Sequence, residues 1–391
     1  MSRAERTPVP KGFWTIWSTV ALDLIGFGIV VPILGVYAQR FGASGFTVGW
    51  LFASFSLAQF VFAPLLGRLS DRIGRKPVII ISLVGTAVGC LVTGAAGALW
   101  VVFLGRVIDG ASGASLSVAQ AAVADIAEPS QRPRLVGLLG AAFGVGFVIG
   151  PALGGLASLG GPHVPFYVAA VLAAINAVAA LIRLPETRVG PPVAVQAMAA
   201  PRQPVLRRLA VIGLVGTLAF AAFEATFSLF GSRRFGLTEG STALVFLGIG
   251  LVLVCVQGGL FARLAQRIPA GRLFTIALAV VAAGLAVVAA STTWPVLIAG
   301  LLLLSLGQGV ASPSLIEMVN RAAPAERRGE ALGFQQSSYA VGRVVGPPLA
   351  GAAFDRIGVW SPMLAGSVLT VGTLLLVLAW GLNQPAATTA A

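Results

Sequence analysis

Five charged residues lie deep inside stretches that are otherwise apolar, and they are the first candidates for chemistry. Asp23 sits in the run 13–38, with Gly26, Gly28 and Pro32 close behind it. Arg106 and Asp109 share the run 99–122, Glu224 lies in 208–231 and Arg343 in 330–352. A carboxylate in apolar surroundings is costly to ionise, so it is expected to serve a proton relay or the recognition of a cation. Arg106 and Asp109 are three residues apart, which places them on one face of a helix where they can pair. Two roles stand open for Asp109: neutralising Arg106, or carrying a proton itself. Arg343 needs an ionic partner or water, and the sequence names neither.

Phe220, Phe223, Glu224 and Phe227 follow the i, i+3, i+4, i+7 spacing of one helix face. Such a stripe is either ordinary helix packing or an aromatic and acidic wall for a lipophilic cation. Together with Phe27 it forms the expected substrate cavity. His163 is the single histidine and cannot form a metal cluster alone, and Cys90 and Cys255 lie in apolar runs as small buried hydrophobes. There is no Gly-Lys phosphate loop and no His-based or metal-ligand cluster. An enzyme, a cofactor and a bound metal are therefore not expected.

The elements that must hold these charges are set by composition. Of 391 residues 57% are hydrophobic and 10% charged, with a mean hydropathy of +0.93. Water is not the main solvent of such a chain. Crossing a bilayer takes roughly 20 mostly apolar residues, and about a dozen such runs fit. The predicted spans are 13–38, 46–67, 77–96, 99–122, 135–158, 164–184, 208–231, 240–262, 273–291, 295–318, 330–352 and 360–382. The tryptophans fall near their ends, where amphipathic rings favour the headgroup region.

The net charge of +13 would suggest nucleic acid if the protein were soluble. Its distribution excludes that partner. Twenty basic residues fall on the side of the N-terminus, whereas only Arg40, Arg233, Arg234 and Arg356 fall on the other. This bias is the positive-inside rule and predicts that both termini are cytoplasmic, in an expected multi-pass protein of the plasma (inner) membrane.

Two halves match at an offset of about 195 residues, the symmetry expected of a repeat-built membrane protein. Arg40-Phe41-Gly42 recurs as Arg234-Phe235-Gly236, and the 68–73 loop recurs at 263–268. Gly137, Gly146, Gly150, Pro151 and Gly155 return with identical spacing as Gly333, Gly342, Gly346, Pro347 and Gly351. The expected division is an N-terminal six-helix bundle over 1–184, a cytoplasmic linker over 185–207 and a C-terminal six-helix bundle over 208–391.

The loop Gly67-Arg68-Leu69-Ser70-Asp71-Arg72-Ile73-Gly74-Arg75-Lys76 resembles the signature between spans 2 and 3 of the major facilitator superfamily. The resemblance implies that Gly67, Asp71, Arg72, Gly74 and Arg75 form a conformational latch on the cytoplasmic side, with Asp71 near the start of span 11. A merely basic solvated loop is the alternative. In span 5, Gly137, Gly146, Gly150, Pro151, Gly154 and Gly155 match the pattern of the superfamily's drug/proton antiporters. Arg106, Asp109 and Gly110 are similar to its span-4 motif, with an acid where the family usually has glutamine. The first half looks like the tetracycline and multidrug antiporters, although spans 3 and 9 lack the acids of the tetracycline proteins.

The resemblance implies an all-α membrane protein of twelve transmembrane helices in two pseudo-symmetric six-helix bundles. It implies a monomeric, proton-coupled exporter of small amphipathic compounds, with Asp23, Arg106 and Asp109 in proton coupling. Protons, a small-molecule substrate and the lipid bilayer are the expected partners. A metabolite or sugar transporter of the same fold is the alternative.

Overall fold

The computed structural model of the chain describes residues 9–128, 131–188, 203–324 and 327–383, and its regular structure is helical throughout. The first half contains α1 (Phe13–Gln39), α2 (Gly45–Ile73), α3 (Arg75–Gly94), α4 (Leu99–Ser112), α5 (Ser115–Ile126), α6 (Arg132–Ser158) and α7 (Val164–Arg183). The second contains α8 (Pro204–Phe235), α9 (Glu239–Cys255), α10 (Phe261–Ala265), α11 (Ala270–Ala290), α12 (Trp294–Ala322), α13 (Arg328–Arg356) and α14 (Ser361–Ala379).

Two predicted spans are irregular. The fourth breaks at Gly113–Ala114 into α4 and α5, and the eighth passes through a π-helical turn, Val256–Leu260, between α9 and α10. Counting each as one, eleven spans among the described residues are long and apolar enough to cross a membrane. The twelfth, α13, has 29 residues but carries Gln335, Gln336, Ser337, Ser338 and Arg343 along its middle. Such a helix must turn its polar face to protein or to a wet cavity.

Local sequence sets the helix ends. The Ser44 side chain caps α2 by accepting from the Thr47 amide, and Thr238 and Ser241 form a capping box at the start of α9. Gly74 separates α2 from α3 at φ +108°, a conformation that favours glycine.

Small residues decide which helices touch, and they do so symmetrically. Gly146 and Gly150 of α6 lie against Leu24 and Gly28 of α1, just as Gly342 and Gly346 of α13 lie against Leu214 and Leu218 of α8. Without hydrophobic driving force between helices in lipid, close packing of this kind provides much of the attraction. One turn further on, the same helices cross to the other half. Gly155 meets Ala243 of α9, and Gly351 meets Gly45 of α2.

These cross-half contacts concentrate at the end opposite to the basic loops. Asp355 at the end of α13 accepts hydrogen bonds from the Gly45 and Phe46 amides at 2.9 and 2.8 Å, at the positive end of α2. Arg40 pairs with Glu239 at 2.8 Å, and Gly49 lies against Pro347. Toward the basic end the halves part. Phe60, Val61 and Phe62 are all exposed, and three consecutive residues cannot all face lipid on one side of a helix. Gly67 and Gly137 likewise have no neighbour against them.

The expected linker falls mostly within 189–202, outside the described residues. Cys255 is exposed rather than buried: it immediately precedes the π turn, on a helix face turned away from the contact that its neighbour Val254 makes with Gly144.

Candidate functional site

Three of the predicted charges meet in the first half. Close packing brings them there: a methyl group at Gly110 would strike the Phe55 backbone of α2, and one at Gly89 would lie 2.8 Å from the Asp109 amide. Packed so tightly, α4 sets Arg106 and Asp109 between α2 and α3. The two side chains form an ion pair at 2.7 Å, with Arg106 only 3% and Asp109 7% exposed. The guanidinium also lies over the Phe55 ring, 4.3 Å from its centroid, and Phe55 in turn touches Phe27. The buried Arg106 Nε has no acceptor within reach among the described residues. The pair is therefore incompletely satisfied, and such buried networks carry a large penalty for each missing bond.

Asp23 reaches this cluster from α1. Its carboxylate accepts a short hydrogen bond from Ser115 Oγ, the first residue of α5, and Asp109 is near enough to act on it by charge. The break at Gly113–Ala114 is what places Ser115 there. It also frees the Gly113 carbonyl, which accepts from Gln59 Nε2 at 2.7 Å. Thr86 of α3 stands beside Asp109 as a further hydrogen-bond donor. Ser115, Thr86, Phe55 and Gln59 escaped the sequence reading. The local signal that could have found them is the small-residue run Gly110-Ala111-Ser112-Gly113, where a helix can break.

The second half holds a different arrangement. Glu224 is half-buried on α8 and feels the charge of Arg343 across on α13, with no ion pair joining them. Tyr339, one turn before Arg343, lies between it and Gln335. The phenylalanine stripe splits. Phe220 and Phe223 line a pocket inside the second half with Gly216, Gln308 and Thr373, while Phe227 is fully buried against Phe246. Glu224 and the three rings thus share a helix but not one surface.

The signature loop forms a third assembly at the basic end. Asp71 binds Arg75 at 2.6 Å, and Arg75 Nε also reaches Asp125 at 2.9 Å. Asp71 is thus engaged within its own half rather than at the start of α13, as follows from the parted basic end. The Arg72 carbonyl accepts from Arg188. Glu186 lies beneath Gly74 and accepts from the amides of Arg75, Lys76, Thr187 and Arg188. Burial pushes its pKa up, but these four donors outweigh burial and hold it below the usual glutamate value. In span 5, Gly146, Gly150 and Gly154 all face α1, Gly155 faces α9, and Pro151 lies within the helix.

Comparison with known proteins agrees with this architecture. The family model described as Major Facilitator Superfamily matches residues 16–286 and 258–390. A class D tetracycline resistance protein of Salmonella ordonez is 30% identical over 370 residues, covering 90% of this chain and 91% of that protein. Multidrug resistance protein 2 of Bacillus subtilis is 29% identical over 384 residues, covering 94% of each. Among solved structures, the human organic anion transporter MFSD10 superposes with a TM-score of 0.72 at 25% identity, over 94% of this chain and 98% of its own. With twelve spans in two glycine-packed halves, a multi-pass membrane architecture and transporters as its relatives, the chain belongs to the Major Facilitator Superfamily.

Proposed function

We propose that this transporter is a proton-coupled exporter of small amphipathic compounds, working by alternating access in the inner membrane with its basic end in the cytoplasm. The observation that carries this reading is the cluster of Asp23, Ser115, Arg106 and Asp109 at mid-membrane. Asp23 lies about 15 Å along α1 from Phe13 by helix rise, half of a hydrocarbon core. A carboxylate there changes its proton affinity when its distance from a neighbouring acid or arginine changes. A rocking of the two bundles would supply that change, because α1 packs on both halves through Gly28 against Gly150 and Gly35 against Ser228.

The other assemblies fit the same cycle. With the halves closed at one end and parted at the other, the central cavity opens toward the basic loops, where a cytoplasmic substrate would enter. On this reading Phe27 and Glu224 belong to the substrate path, Glu224 acting on cationic substrate, while Asp71 and Arg75 await the closing of the basic end. The similarity to tetracycline and multidrug resistance proteins supports export.

Inside-out vesicles test the reading. With an acid lumen, the wild-type protein accumulates ethidium and discharges the pH gradient as it does so. Accumulation that is indifferent to the gradient contradicts proton coupling.

A further inference from the structure

Arg343 is a charge that the fold does not need. It occupies the glycine-packed helix of the second half, and its counterpart in the matching helix of the first half is Phe147. The glycine contacts of the two helices are otherwise equivalent, so a large neutral side chain satisfies the packing at this position. The guanidinium was therefore not placed for helix association.

Its surroundings say what it faces. Arg343 lies one residue from the midpoint of α13, which runs from Arg328 to Arg356, so it stands near the bilayer centre. Along this helix Gly342 and Gly346 face α8, Pro347 and Gly351 face α2, and Val341, Val345 and Leu349 are exposed on the lipid side. At 3.6 residues per turn, Arg343 points about 160° away from that aliphatic face. Yet it is exposed. A mid-membrane arginine turned away from lipid and still accessible faces the gap between the halves, the setting in which such a charge is tolerated.

There it has no ionic partner among the described residues. Arg106, the other intramembrane arginine, is consumed by Asp109 at 2.7 Å, whereas Glu224 feels the charge of Arg343 with no ion pair between them. Guanidinium groups bind carboxylates through two parallel hydrogen bonds, and in a site of low dielectric such a bond is stronger than in water. Tyr339 stands beside it as an additional hydroxyl.

We propose that Arg343 is the anion-recognising group of the substrate cavity, so that the preferred substrates are amphiphiles carrying an acidic group, with Glu224 nearby favouring a basic group on the same molecule. This rests on the reading of the central cavity as the substrate path. It separates this protein's specificity from that of a simple cation exporter.

The test uses one scaffold with and without its acid: ciprofloxacin and ciprofloxacin methyl ester, bound at equilibrium to the purified full chain in nanodiscs. The wild-type protein is expected to bind the acid about tenfold more tightly than the ester. Arg343→Gln removes that preference by weakening the acid alone, and Arg343→Lys retains part of it. A wild-type protein that binds the ester as tightly as the acid, or binds neither, overturns the inference. So does an Arg343→Gln protein that keeps the preference or loses both ligands equally. Gradient-driven ethidium accumulation in vesicles reads the proton-coupled export separately, and it survives if only the acid recognition is wrong.

Discussion

At the scale of single residues, the charged members of the site were legible and their neutral partners were not. Asp23, Arg106, Asp109 and Glu224 declare themselves because an ionisable group in an apolar run needs a reason to be there. Ser115, Thr86 and Phe55 are ordinary residues of other helices, and no spacing rule links them to a carboxylate that is 92 positions away in the case of Ser115. The sequence also left the two roles of Asp109 open, and the geometry sharpens one of them: the acid sits 2.7 Å from Arg106 and both are buried. Removing one partner of such a pair leaves a buried charge without compensation, at about 3–5 kcal/mol, whereas removing both charges costs far less. Arg106→Gln is therefore expected to lower the thermal stability of the purified protein strongly. Asp109→Asn in the same chain should recover much of the loss. A double variant as unstable as the sum of the two single variants would show that the pair is not coupled.

Helices present a different balance. The glycine pattern of span 5 was legible as a motif, but not which glycine touches which partner. Gly146, Gly150 and Gly154 bind α6 to α1 inside one half, Gly155 meets the other half, and Gly137 touches nothing in this conformation. A methyl group at Gly150 would lie 2.6 Å from the Gly28 backbone, so Gly150→Ala should destabilise by about 1–3 kcal/mol, read as a lower melting temperature. Gly137→Ala should leave the melting temperature nearly unchanged. Equal effects would mean that the α1–α6 seam is loose enough to accept a methyl group at Gly150. The break between α4 and α5 and the π turn before α10 were missed because a glycine in a membrane run reads equally as packing residue or as helix breaker. Glu186 was also missed, since a loop carboxylate has no pattern until four amides converge on it. Its pKa is held below 4.5, so its contribution is present above that pH and is lost as pH falls through the folded value. Glu186→Gln should lower the melting temperature near neutrality, and the gap from wild type should shrink on acidification. A gap independent of pH would assign the effect to packing instead.

The molecule as a whole was the most legible level, because hydropathy, charge bias and an internal repeat all constrain the same architecture. Its conformation was not legible, since a repeat specifies two bundles without specifying which end of the gap is shut. Here Asp355 on the α2 terminus and the Arg40–Glu239 pair hold the end opposite to the basic loops. Those loops carry Asp71 bound to Arg75 within the first half. On this account the cycle exchanges one set of contacts for the other, and the proton on Asp23 decides when. The most direct measurement compares wild type with Asp23→Asn in inside-out vesicles with an acid lumen, following ethidium accumulation and, on the purified proteins, ethidium binding. The account predicts that Asp23→Asn binds ethidium with about wild-type affinity and loses gradient-driven accumulation. Accumulation by Asp23→Asn at the wild-type rate under the same gradient would contradict it.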